Sequence, residues 1–203
     1  MSRYLNRNPS GYLRSLRRRS YARDYCRNVI RSMSGLGGID SIMDVGFGGG
    51  NERIMLHDLF VARPELRFIG VDSRPECVKL GRFRWPEHTW RVGNLDMPQD
   101  GIFADVVYCQ HVLEHCADLQ PGLDWLLQCT NKVLLVIFFI PLGGIPVYGK
   151  RRRIHANQYS RPQVADSCVR ARFNCEFHDF DNRDRINGRH GVRFETVLQA
   201  ERK

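Results

Sequence analysis

Two short stretches of this sequence combine residue types and spacings that could do chemistry. The first is Ile42-Met43-Asp44-Val45-Gly46-Phe47-Gly48-Gly49-Gly50-Asn51, an apolar run leading into an acid and then glycines. Glycines there let a ligand approach the backbone, and the start of a following helix attracts an anionic group. The nicotinamide fingerprint Gly-x-Gly-x-x-Gly fails, because its sixth position counted from Gly46 is Asn51. The second stretch is His111-Val112-Leu113-Glu114-His115. On a helix its two imidazoles would share a face and could take zinc. Glu114 would then be the base and Glu176 or Glu195 a third ligand, as in a metallopeptidase.

Apolar periodicity supplies the elements that would position these stretches. Helices are expected over Tyr21 to Met33, Glu52 to Val61, Pro75 to Phe83, Leu119 to Cys129 and Arg161 to Val169. Strands are expected over Ser41 to Val45, Leu66 to Val71, His88 to Val92, Ala104 to Cys109 and Val133 to Ile140. The last of these is continuously apolar, which fits a central parallel strand covered on both faces. Phe173 to Phe180 and Val192 to Ala200 read as two more strands; no helix fits between them, so they should pair antiparallel. Strand alternating with helix predicts an α/β fold with a doubly wound sheet and helices on both faces. In such sheets the ligand lies beyond the C-terminal ends of the strands.

The chain has 203 residues, a length that suits one domain. Its longest apolar run, Val133 to Ile140, stops at Pro141, far short of the roughly 18 residues a membrane span needs. Net charge is +9, and residues 1–34 hold +8 of it, with nine Arg against Asp24. The expected division is therefore an Arg-rich arm with a lead-in helix over 1–34, then a nearly neutral domain over 35–203. The acid-poor, Arg-rich start also has the composition of a mitochondrial transit peptide. Seven cysteines form no Cys-x-x-Cys pair, which reads as reduced, buried thiols and a cytoplasmic location.

The order Asp44-x-Gly46-x-Gly48-x-Gly50 resembles the first motif of the class I S-adenosylmethionine-dependent methyltransferases. Asp72, closing the second strand in Phe68-Ile69-Gly70-Val71-Asp72, matches the family's ribose-binding acid; the alternative is a cap for the following helix. Gly93-Asn94-Leu95-Asp96-Met97-Pro98 resembles the adenine segment, with Asn94 in the usual Asp place and Asp96 as a substitute. Phe103 to His115 resembles the fourth strand and the turn after it. The resemblance covers about Ser41 to Ile140 and implies a Rossmann-like, seven-stranded mixed sheet with an antiparallel C-terminal strand. It implies S-adenosylmethionine as cofactor, with Asp44, Gly46, Phe47, Gly48 and Gly50 at its methionine end. Asp72 and Ser73 would take the ribose, and Asn94, Leu95 and Asp96 the adenine. Gln110 and His111 would border the reacting methyl, while Glu114 and His115 would be structural.

The tail His155-Ala156-Asn157-Gln158-Tyr159-Ser160-Arg161 resembles a segment of methyltransferases acting on small molecules and glycans. The glycine usual before the sixth strand is replaced by Asn174, which leaves the end of the preceding helix open. A hydroxyl acceptor needs a general base; His155 is favoured, with His111 and His115 as the other candidates. The expected acceptor is a small molecule or sugar, plausibly anionic. The runs Arg17-Arg18-Arg19 and Lys150-Arg151-Arg152-Arg153 would hold it at the site entrance, or else form a solvated face. Tyr12, Tyr21 and Tyr25 either close over the acceptor or pack on the sheet. Two alternatives remain: RNA methylation guided by the basic arm, and a catalytically silent partner subunit. Oligomeric state is left open.

Overall fold

The computed structural model describes residues 20–35, 38–97, 101–151, 154–183 and 194–203. Tyr12 and the run Arg17-Arg18-Arg19 lie outside them, as do Arg152, Arg153 and Pro98. The chain forms α1 (Tyr21–Gly35), β1 (Ser41–Val45), α2 (Asn51–Met55), α3 (His57–Ala62) and β2 (Arg67–Asp72). It continues through α4 (Pro75–Arg84), β3 (Thr89–Val92), β4 (Ala104–Gln110), a 3₁₀ turn (Leu113–His115), α5 (Leu119–Cys129) and β5 (Thr130–Phe138). A small hairpin, β6 (Lys150–Arg151) and β7 (Ile154–His155), precedes α6 (Arg161–Arg170), β8 (Phe173–Asp181) and β9 (Phe194–Arg202).

Seven strands make one sheet in the order β3-β2-β1-β4-β5-β9-β8. β1 to β5 are mutually parallel, and β9 runs antiparallel between β5 and β8. Strand alternation sends side chains to two cores. Leu134, Val136 and Phe138 of β5 pack with Leu123, Leu126 and Val164 from α5 and α6. Val133, Leu135 and Ile137 meet the opposite layer, where Ala22, Cys26 and Ile30 of α1 lie with Leu59, Phe60, Cys77 and Val78. The lead-in helix is thus part of the core. Arg27 on α1 also grips Glu52 on α2, with Nε–Oε2 and Nη2–Oε1 both 2.8 Å, and both side chains are buried. Tyr25 packs on the sheet, its hydroxyl 2.7 Å from Gln199 Oε1 and 2.9 Å from His178 Nε2.

Three expectations need correction. The helix expected over Glu52 to Val61 breaks at Leu56 (φ −103°, ψ 18°) into α2 and α3. The apolar run from Val133 does not stay in the sheet to Ile140: β5 ends at Phe138, and the N–H groups of Phe139 and Ile140 turn to the Glu114 carboxylate at 2.5 and 3.5 Å. As the mixed sheet with an antiparallel C-terminal strand predicts, β5 is parallel to β4 and antiparallel to β9. Arg172 (φ 64°), not Asn174, takes the left-handed position after α6.

Candidate functional site

The glycine turn follows β1 and faces the C-terminal ends of β2 and β4. Gly46 has φ 77°, and a Cβ there would sit 2.2 Å from Val112 Cγ2. Gly48 has φ 60°, and its N–H donates to Asp72 Oδ2 at 2.8 Å. Gly50 has φ 79°, but the atom its missing Cβ would strike is the Trp85 ring at 2.5 Å. Its glycine serves helix packing, and Gly50 lines neither cavity described below. α2 has only five residues, so the expected helix dipole at the turn is small.

Two adjoining cavities open here. One of about 310 Å³ lies along Asp72, Ser73, Asn94, Leu95, Asp96 and Trp125. The other, of about 380 Å³, lies along Asp44, Phe47, Gly48, Gln110, His111 and Arg23. Gly46, Asp72, Ser73, Val112 and His115 line both. Phe47 also packs on Trp90, ring centroids 4.9 Å apart. Ile102, Trp125 and Arg23 are site residues the sequence reading missed; none lies in a recognisable motif, and only the folded sheet edge brings them in.

The polar groups divide by role. Asp72 is buried, and its Oδ1 accepts from Arg74 N–H at 2.9 Å and Arg74 Nε at 3.1 Å. Asn94 Oδ1 closes a local turn on Asp96 N–H at 3.1 Å, and Asp96 Oδ1 accepts from Ala117 N–H at 2.8 Å. The amide oxygen expected to meet adenine is thus engaged by the backbone. Burial, then the charges of Glu52 and Asp72, push the Asp44 carboxyl well above its usual range against the pull of Arg23. Gln110 Oε1 accepts from the Tyr108 hydroxyl at 2.9 Å, while its buried Nε2 has no partner among the described residues. An unsatisfied buried donor is costly, and this one borders the second cavity, so an acceptor from a bound molecule suits it.

His111 and Glu195 form the other polar centre. His111 sits at φ 55°, a strained conformation for a non-glycine residue. Its Nε2 lies 2.6 Å from Glu195 Oε1. Glu195, buried on β9, also accepts from Ser20 Oγ and from Asn182 Nδ2 at 2.8 Å. Burial lowers the His111 pKa more than Glu195 raises it. For Glu195 burial pushes upward, but the bonds from His111, Ser20 and Asn182 win and hold the carboxyl below its usual range. The consistent state near neutrality is a neutral imidazole donating from Nε2 to an ionised carboxylate. Nδ1 has no hydrogen-bond partner among the described residues.

The zinc reading does not survive this geometry. His111 is left-handed and only Leu113–His115 form a 3₁₀ turn, so His111 and His115 do not share a helical face. Nε2 of His111 is bound to Glu195, and Nδ1 of His115 to the His155 carbonyl at 2.7 Å. No group of three His, Cys, Asp or Glu among the described residues could hold a metal ion. Glu114 is buried and anchors Phe139. His155, the favoured base, lies on β7 and lines neither cavity.

The residues fit an S-adenosyl cofactor: a cleared glycine turn, an acid at the end of β2, and an orphan amide donor beyond β4. The sequence model of a methyltransferase domain matches residues 43–132. No curated protein matches the chain. Among solved structures it is similar to magnesium protoporphyrin IX methyltransferase from Synechocystis PCC 6803 with bound S-adenosylhomocysteine. That pair is 17% identical with TM-score 0.63, over 89% of this chain and 83% of that one. An amino pentose methyltransferase from Micromonospora echinaspora, with bound S-adenosylmethionine, is 15% identical with TM-score 0.61 over 95% of each chain. An O-methyltransferase of a polyketide multienzyme from Brevibacillus brevis is 12% identical with TM-score 0.63, over 83% of this chain and 68% of that one. Residues 43–132 thus match a methyltransferase domain, and the chain shares the fold of these S-adenosylmethionine-dependent methyltransferases.

Proposed function

We propose that the protein methylates a hydroxyl on a small-molecule or sugar acceptor, with His111 as the general base. One observation carries this reading: an imidazole on the cavity wall, bonded at 2.6 Å to a buried carboxylate. S-adenosylmethionine, when bound, supplies a methyl already activated on a sulfonium. The protein's remaining work is alignment, exclusion of water and removal of the acceptor proton. Asp72 and Ser73 would hold the ribose, Asp96, Leu95 and Trp125 the adenine, and Gly46, Gly48 and Gln110 the methionine end.

Glu195 fixes the His111 tautomer with the proton on Nε2 and leaves Nδ1 to receive the hydroxyl proton. The burial-lowered pKa keeps that nitrogen unprotonated at neutral pH. A base is needed for a hydroxyl, whose proton is weakly acidic, and much less for a neutral amine. A sugar and an oxygen acceptor both occur among the similar structures, as their descriptions state.

The test is an acceptor panel of sugars, phenols and amines, with S-adenosylhomocysteine release as the readout. Hydroxyl acceptors should turn over, and His111→Ala should abolish that turnover while leaving S-adenosylhomocysteine affinity intact. Turnover of amines alone, or full activity in His111→Ala, would overturn the reading.

A further inference from the structure

The glycine turn runs straight into α2, whose five residues are too few to hold a helical turn in water by themselves. Gly50, at its start, offers no side-chain cap. Side chains must therefore fix this helix to the fold. Glu52 does so on one side through Arg27. Arg53 does so on the other, where its Nε donates to His88 Nε2 at 2.6 Å. The two side chains are only 7% and 8% exposed. A guanidinium has no acceptor to offer, so His88 must accept, with its own proton on Nδ1. The bond exists only while the imidazole is neutral.

Among the described residues, the charged groups acting on His88 are Arg53 from α2 and Glu87 from its own loop. α3 and β2 face it with rings, Phe60 at 5.3 Å and Phe68 at 5.7 Å. Burial and then Arg53 lower the His88 pKa, against the pull of Glu87. The same cluster backs the cofactor turn. The Arg53 guanidinium lies 4.2 Å over the Phe60 ring and 5.9 Å from the Trp85 ring. Trp85 fills the space where a Gly50 side chain would stand, and it stacks on Trp90. Trp90 meets Phe47, which lines the second cavity. A second partner is already in place: exposed Glu87 has its Oε1 3.5 Å from both Arg53 Nη2 and His88 Nε2. Arg53 Nη1 is buried with no partner among the described residues. A protonated His88 thus has a carboxylate to turn to, while Arg53 loses a bond and meets a like charge.

We propose that Arg53 and His88 form an acid-released latch beneath the glycine turn. Neutral His88 holds Arg53, and α2 then keeps Gly46 and Gly48 in place for the cofactor. On protonation His88 pairs with Glu87, Arg53 lets go, and cofactor affinity falls. The latched imidazole resists the proton and the released one does not, so falling pH drives release. The device rests on the glycine turn as the cofactor site and is independent of His111 acting as a base.

The experiment is calorimetric titration of the full chain with S-adenosylhomocysteine at pH 7.5 and pH 5.5, with tryptophan emission recorded across the same range. An imidazole free of Arg53 titrates near its ordinary value of about 6.5, so affinity should fall about three- to tenfold at the lower pH. Emission should shift with it, since Trp85 and Trp90 border the latch. His88→Gln keeps an oxygen for Arg53 and cannot take the proton, so it should remove most of the fall and the emission shift. A fall of equal size in His88→Gln, or none in the wild type, overturns the inference. Glu87→Gln carries the test if His88→Gln fails to fold. Glu87 raises the His88 pKa, so its loss should move the emission midpoint to lower pH, and an unmoved midpoint overturns the latch. Absence of S-adenosylhomocysteine binding at either pH overturns the cofactor site itself, a failure distinct from a pH-independent affinity.

Discussion

The turn after β1 and the pair His111–Glu195 sit at the same sheet edge but are built differently. The turn is one contiguous stretch, and its key bond, Gly48 N–H to Asp72, joins neighbouring strands. The pair is assembled from remote parts: β9 brings Glu195 to His111 across 84 positions, and Ser20 reaches Glu195 across 175. A cradle for a cofactor can be written locally because backbone shape does most of the work. A base positioned by a carboxylate needs two side chains held rigidly at 2.6 Å, which takes a finished sheet.

The contrast predicts that each region can be broken alone. The largest effect should come from His111→Ala, with kcat for a hydroxyl acceptor falling about 100- to 10,000-fold and cofactor affinity kept. Glu195→Gln should cost less and change the pH profile. Glu195 raises the His111 pKa, so removing its charge moves the acid limb of kcat to lower pH. An unmoved limb would separate the two residues.

Asp72→Ala breaks the other region. Losing an acceptor of ribose hydroxyls removes charged hydrogen bonds of roughly 1.5–3 kcal/mol each, about 100- to 10,000-fold in S-adenosylhomocysteine affinity for two. Calorimetric titration checks this, and unchanged affinity would take the ribose away from Asp72. The thermal unfolding transition should remain cooperative.

Much of the first region was legible in the sequence, and for physical reasons. Gly46 and Gly48 need positive φ, and only glycine takes it cheaply. α5 begins at the expected residue because Asp118 accepts from Gln120 N–H and caps it. Ser160 does the same for α6. What stayed hidden depended on distance in the chain. Glu195 was visible only as a spare carboxylate for zinc, and its true neighbour, His111, depends on β9 pairing with β5. The break at Leu56 carries no glycine or proline to announce it.

Glu114 lies between the two regions, and its titration tests how the loop after β5 is held. Burial is the main cause that raises its carboxyl from 4.5 to about 7. Between those values the unfolded chain has lost the proton and the folded chain retains it. Stability therefore falls as pH rises from about 4.5 and levels off above about 7, by on the order of 3 kcal/mol. Glu114→Gln keeps an oxygen for the Phe139 N–H and cannot ionise, so it should flatten that slope. Thermal unfolding at pH 5 and pH 8 measures it; equal slopes in both proteins would mean that Glu114 is not the titrating group.

Arg74→Ala should have the smallest effect and the most informative sign. Asp72 already accepts from Gly48 N–H and from the backbone and side chain of Arg74. A carboxylate has about four acceptor positions, so ribose hydroxyls would compete with the Arg74 guanidinium, which is partly solvated. Its ion pair with Asp72 is a weak one of the solvated kind, worth up to about 1 kcal/mol. Removing it should tighten S-adenosylhomocysteine binding by up to about fivefold. If affinity instead weakens, Arg74 is itself a cofactor ligand, and the ribose end of the site is shared between acid and base. That outcome would make the cofactor side less local than its motif, because a side chain outside the glycine turn would then carry part of the binding.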